Sequence, residues 1–216
     1  SQGKITGSWK SHTDDLDSKK FEENFIMQGF DYVNQFLVVK NTIPNASAVL
    51  FKKNSYLTLN QEHLAFKFVG DWFIWSQIVF QGDIYFHSKP LNYFRYHNNS
   101  AIAKAKNNNK QLNLRNEVIL LREKMSFILL KTNNNETKHI YKKNQNYYFK
   151  ELYRNSSILI KNRNYKEIPF SLNKTLKFCP YYLILFISLK LLTKTIYSFL
   201  INYPLQLLFK GIKSSG

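Results

Sequence analysis

The chain of 216 residues is 44% hydrophobic and 16% aromatic with only 7 Gly and 5 Pro, which excludes wholesale disorder, collagen and low-complexity sequence. Its single cysteine, Cys179, excludes an internal disulfide and a cysteine-based zinc site, so a reducing compartment is expected. The net charge is +17, yet residues 1–100 carry 10 basic and 9 acidic side chains (+1), whereas residues 101–216 carry 21 and 5 (+16). The basic second half therefore predicts an anionic partner.

The first part of the chain alternates between helical and strand patterns. Phe21, Phe25 and Ile26 recur at helical spacing and predict a short helix over residues 19–29. The apolar run at residues 46–51 lies between turn-forming residues and predicts a buried strand.

Residues 72–80 follow a Gly-Asp pair, repeat apolar residues at helical spacing and predict a helix that ends at Gly82. Residues 83–87 and 91–97 are rich in β-forming residues and are separated by a turn at residues 88–90. Because helix and strand alternate, the predicted fold class of the first hundred residues is α/β.

The second half is predicted to be helical. A polar linker at residues 104–110 separates a domain at residues 1–103 from a basic extension at residues 111–216. Within that extension, residues 111–130 and 139–161 predict helices with apolar stripes.

The end of the chain is the most apolar part. Residues 178–189 and 195–209 are uncharged, but Lys190 and Lys194 divide them, and neither run reaches the roughly 20 residues that span a bilayer. A pair of amphipathic helices lying on an anionic membrane surface is the preferred interpretation, with a helical pair packed on the protein's own core as the alternative. The expected location is the cytoplasm, with peripheral association at the inner face of the membrane.

Three stretches in this order carry a resemblance: NTIPNASAVLF at residues 41–51, GDWFIWSQ at 70–77 and PLNYFRYHNNS at 90–100. Together they resemble the acceptor-side half of a bacterial family 2 glycosyltransferase. The resemblance implies an incomplete, Rossmann-like GT-A fold in the first hundred residues. It also implies transfer of a sugar, with inversion, from a nucleotide-sugar to a hydroxyl of a glycan or lipid-linked acceptor, in cell-surface polysaccharide or glycan synthesis.

The resemblance implies that Asp71 is the catalytic base. Family members usually have Glu-Asp here, and this chain has Gly70-Asp71, so one acidic residue is replaced. An inverting transfer needs one carboxylate to accept the proton of the attacking hydroxyl. The alternative role is an N-cap of the following helix, where the helix N-terminus would lower the pKa of Asp71.

The resemblance also places His97 near the metal ion and the diphosphate. Arg95 is two residues earlier, so on a strand both side chains would share one face. An imidazole there can ligate a metal or pair with phosphate. The alternative is a polar strand end at the surface.

Acceptor contacts are expected from Trp72, Asn45 and Ser47. Sugar faces stack on aromatic rings, and the amide and hydroxyl groups can bind sugar hydroxyls. The alternatives are a core position for Trp72, as expected for Trp75, and turn formation for Asn45 and Ser47.

The donor-binding parts of such a domain are not visible in the sequence. The literal match Asp15-Leu16-Asp17 follows no apolar strand and is not taken as a metal motif. We expect the nucleotide-binding strand and its Asp-x-Asp to precede Ser1, so the fragment alone should be inactive. The complete enzyme is expected to use a divalent metal, Mg or Mn, and a nucleotide-sugar donor.

The competing interpretation is a non-enzymatic basic protein that binds membrane surfaces. Nucleic acid is not an expected partner, because the basic residues are interspersed with long apolar helices and no nucleic-acid-binding module is present.

Overall fold

The computed structural model describes residues 4–5, 7–43, 45–95, 111–132 and 135–162, together with positions 189, 192, 193 and 196. These residues form a mixed α/β structure that is mostly helical. Its α-helices are α1 (Gly29–Tyr32), α2 (Lys53–Leu57), α3 (Gly70–Ile78), α4 (Gln111–Thr132) and α5 (Asn135–Lys161). The predicted linker and the two apolar C-terminal segments lie outside the described residues, apart from isolated positions.

A two-stranded antiparallel sheet joins β1 (Phe25–Gln28) to β2 (Asp83–Phe86). The strand prediction at residues 83–87 is confirmed, whereas the helix predicted over residues 19–29 is wrong. A short 3-10 helix covers Lys20–Glu22, and the chain then becomes extended. The extended conformation is favoured over the helix because Phe25 pairs with Phe86 across the sheet, with ring centroids 5.1 Å apart.

Two other predicted strands are not seen among the described residues. Residues 46–51 begin as a 3-10 helix at Ala46–Ala48, because Asn45 Oδ1 accepts a hydrogen bond from the Ser47 N–H at 3.1 Å. Val49 is extended, but no strand in the described part of the chain pairs with it. Residues 91–95 are exposed and irregular, and residues 96–97 lie outside the described ranges.

Helix α3 confirms the helix predicted at residues 72–80 and continues as a 3-10 turn, Val79–Gln81. It lies in the core of a compact unit, residues 1–148, that also includes α4 and the first part of α5. The buried apolar residues of this core are Tyr32, Val33, Phe36, Leu37, Val38, Val69, Trp72, Phe73, Trp75, Val79, Leu121, Met125, Leu129 and Ile140.

The helices predicted at residues 111–130 and 139–161 are confirmed, and α5 begins earlier, at Asn135. The first compact unit comprises residues 1–148, and Leu121, Met125 and Leu129 on α4 contribute to its core. The second unit comprises residues 149–216. Within the described ranges, none of the helices has the length and apolar character needed to cross a bilayer.

Candidate functional site

Asp71 lies in the first turn of α3. The helix begins at Gly70, with Val69 in the N-cap position, so Asp71 is one position inside the helix rather than its cap. Its Oδ1 accepts a hydrogen bond from the Trp72 N–H at 2.7 Å. The first N–H groups of a helix have no intrahelical acceptor, so this contact fixes the carboxylate at the helix start. The side chain is only partly exposed.

Burial raises the pKa of Asp71 above its ordinary value. Hydrogen bonds from the Trp72 backbone and the Asn41 side chain lower the pKa, but they are weaker than the cost of removing the charge from water. The backbone N–H groups at the helix start therefore lower this pKa, as expected, but burial outweighs their effect. A carboxylate with a raised pKa is the stronger base.

Asn41 is the residue of this site that the sequence interpretation missed. Its side chain lies close enough to Asp71 to lower the pKa of that carboxyl, and its Oδ1 accepts from the Ile43 N–H at 3.1 Å. A carboxylate only accepts hydrogen bonds, so the Asn41 group that can lower this pKa is the amide nitrogen. The sequence signal was its position as the first residue of the stretch at 41–51.

The N-terminal segment is attached to Asn41 through His12. The Nε2 of His12 is 2.8 Å from the Asn41 carbonyl oxygen, so that ring nitrogen carries the proton and donates. The Lys40 ammonium bonds to the His12 carbonyl and forms an ion pair with Asp15. Asp71, Asn41 and His12 thus form one connected group, which we call the Asp71 site.

Trp72 and Trp75 are both buried in the core. Trp72 is 7% exposed, its Nε1 donates to the Leu37 carbonyl at 2.9 Å, and the Arg122 guanidinium lies 4.8 Å from its ring centroid. A ring covered in this way has no free face for a sugar. The structure gives Trp72 the same packing role as Trp75, so we do not include it in the proposed acceptor site.

The other predicted site residues that the structure describes form no hydrogen bond with Asp71. Asn45 binds the Ser47 N–H, which is the turn role considered as its alternative, and Ser47 is exposed. Among the described residues, neither forms a hydrogen bond with Asp71. Arg95 is exposed, and His97 lies outside the described residues.

A metal site was tested on the residues that the structure describes. Within those ranges, no three His, Cys, Asp or Glu side chains come close enough to hold an ion. In the Asp15-Leu16-Asp17 match, Asp15 pairs with Lys40, and Asp17 accepts hydrogen bonds from the Lys19 and Lys20 N–H groups. The described residues therefore do not fit a metal ion.

A half-open, mostly apolar groove of about 410 Å³ lies on the same unit but does not include Asp71. Its lining residues are Phe30, Leu59, Gln77, Phe80, Gln81, Ile128 and Thr132. The polar side chains of this groove already form hydrogen bonds with backbone carbonyl groups. Gln77 donates to the Phe73 carbonyl and Gln81 to the Ser55 carbonyl.

Comparisons of the chain with known protein families, with curated proteins and with solved structures found no match.

Proposed function

We propose that this chain is the acceptor-side part of an inverting, GT-A-type glycosyltransferase in which Asp71 is the catalytic base. The single observation that carries the proposal is the state of Asp71. It is a partly buried carboxylate, it is held by the Trp72 N–H and the Asn41 side chain, and burial raises its pKa. Acidic groups with pKa values shifted by burial are concentrated at functional sites.

The proposed step uses the base strength of Asp71 directly. The Asp71 carboxylate accepts the proton of an acceptor hydroxyl while that oxygen forms a bond to the anomeric carbon of the donor sugar. The bond from this carbon to the nucleoside diphosphate breaks, and the diphosphate leaves with the electron pair. Attack opposite to the leaving group inverts the anomeric centre.

Asn41 supports this role by holding the carboxylate. A base must stay within hydrogen-bonding reach of the proton that it removes, and the Trp72 N–H, with the Asn41 side chain nearby, restricts the orientation of Asp71. The proposal does not use residues 46–51 as a strand. The nucleotide-sugar donor, the divalent metal and the roles of Arg95 and His97 remain predictions from the resemblance.

The test compares two aspartates that both lie in the first turn of a helix. Asp31 is also in the first turn of a helix, α1, but is exposed. In the full-length protein, Asp71→Asn should lower sugar transfer by at least about a hundredfold, the contribution of a positioned general base. Donor binding should persist, because the change removes only the proton acceptor. Asp31→Asn should transfer at the wild-type rate.

Transfer is measured as nucleoside diphosphate release and as acceptor product. Near wild-type transfer by Asp71→Asn would show that Asp71 only supports the helix start. An equal loss in Asp31→Asn would show that the effect is not specific to the Asp71 site.

A further inference from the structure

An exposed apolar surface lies on residues 50–64, which include helix α2. Five large apolar residues are exposed there: Leu50, Phe51, Tyr56, Leu57 and Leu64. The exposed fractions of Leu50, Leu57 and Leu64 are 102%, 64% and 70%. Neither α2 nor the 3-10 helix that follows it contains a buried residue. Single exposed leucines are ordinary, but several within one short segment mark a contact surface. We call residues 50–64 the exposed segment.

Aromatic contacts attach the exposed segment to the core. The Phe51 ring is 5.5 Å from the buried Trp75 ring and 6.1 Å from the Tyr56 ring. The Tyr56 hydroxyl is 3.1 Å from His63 Nε2, which joins α2 to the following 3-10 helix. The leucines are therefore displayed by a segment that is anchored on the protein.

The charge of this segment is positive. Lys52 and Lys53 are exposed, and neither forms an ion pair with a residue that the structure describes. The chain has no acidic residue between Asp31 and Glu62, and Glu62 is paired with Lys124. Lys53 and Leu57 are four residues apart in α2, so they share one face of the helix.

We propose that the exposed segment docks on an anionic lipid bilayer. The leucines and Phe51 enter the interface between headgroups and acyl chains, while Lys52 and Lys53 contact lipid phosphates. Tyr56 can lie at the same depth in the membrane interface, because its ring is apolar and its hydroxyl is polar. In the sequence, the exposed segment does not overlap the apolar C-terminal segments, and the proposal does not depend on the glycosyltransferase activity.

A lipid surface fits this segment better than a protein partner does. The centres of protein interfaces are depleted in lysine, whereas here two lysines lie within the apolar run. Lysine beside exposed leucine and aromatic residues is typical of segments that lie in the membrane interface. A second copy of the chain would add two further lysines of the same sign.

The test places an environment-sensitive label at one position of the full chain. In a Cys179→Ser background, Leu57→Cys is labelled with the fluorophore NBD, and Ser18→Cys, an exposed residue outside the segment, is the control. With vesicles of equimolar phosphatidylcholine and phosphatidylglycerol, emission at position 57 should shift to the blue and brighten. Position 18 should not respond, and neither position should respond to phosphatidylcholine alone.

Matched charge variants separate a local effect from net charge. Lys52→Gln with Lys53→Gln should weaken the response at position 57 at least about tenfold in vesicle concentration. Lys19→Gln with Lys20→Gln removes the same charge elsewhere and should have a much smaller effect.

Three results would overturn the proposal. Position 57 could stay water-like while the protein sediments with the vesicles, which would assign binding to another part of the chain. The two lysine pairs could have equal effects, which would leave only net charge. The label could respond to protein concentration without vesicles, which would indicate self-association.

Discussion

At the scale of single residues, Asp71 combines a structural contact with an unfavourable environment. Its carboxylate satisfies the Trp72 N–H at the start of α3, yet its partial burial raises its pKa. The charged form is therefore less favourable in the folded chain than in water. A functional site that contains such a group lowers the stability of the folded protein in exchange for activity.

Asp71→Asn should consequently leave the protein as stable as the wild type or more stable at neutral pH. The folded pKa lies above the unfolded one, so the folded state binds more protons between the two values, and stability falls as pH rises through that window. Asparagine can still accept from the Trp72 N–H. Urea unfolding at about pH 7 and about pH 3 measures the free energy of unfolding. Any gain of Asp71→Asn over the wild type should appear only at the higher pH. A loss above about 1 kcal/mol at neutral pH would mean that the carboxylate is mainly structural.

The sequence identified Asp71 but not its surroundings. A Gly-Asp pair before an apolar periodic run places the carboxylate at a helix start, which the structure confirms to within one residue. Asn41 is thirty residues away in the chain, and only the tertiary fold brings its amide to Asp71. Burial of Trp72 depends in the same way on Arg122, fifty residues later.

At the scale of elements, predictions succeeded where the element is stabilised locally or finds its partner. Helices α4 and α5 have long periodic patterns, and the structure confirms both. Residues 46–51 have the composition of a strand, but a strand needs a neighbour, and within the described residues the only sheet is β1 with β2. Without a neighbouring strand, the backbone forms a turn that the Asn45 side chain stabilises.

Gly29 shows how closely two elements meet at the start of α1. A Cβ there would lie 1.7 Å from the Val79 carbonyl oxygen and 2.4 Å from that of Gly82, so the backbone would have to move. Gly29→Ala should therefore cost about 3 kcal/mol or more of unfolding free energy. Gly82→Ala is the control, because its backbone is extended and nothing lies within 4 Å of an added Cβ.

Denaturant unfolding of both variants measures this difference. Gly82→Ala should stay within about 0.5 kcal/mol of the wild type. If Gly29→Ala is equally mild, the close approach of α1 to the turn after α3 is not as the structure has it.

At the scale of the whole molecule, the division by charge does not coincide with the division by packing. The basic half of the sequence begins near residue 101, but α4 contributes Leu121, Met125 and Leu129 to the core around α3. The Glu117 carboxylate also accepts the Phe68 N–H at 2.6 Å, just before α3 begins. Composition could locate the excess charge, but not which apolar face of α4 would complete the first unit. Helix α4 thus helps to position the turn that carries Asp71.

The central claim, that Asp71 is the base, is tested most directly by the pH dependence of transfer in the full-length protein. Transfer should fall at low pH as Asp71 gains a proton, with the midpoint of the acid limb above the ordinary carboxyl pKa, because burial raises the pKa of Asp71. Since the Asn41 hydrogen bond lowers that pKa, Asn41→Ala should move the acid limb to higher pH. An acid limb at the same pH in Asn41→Ala and the wild type would contradict the assignment of Asp71 as the base.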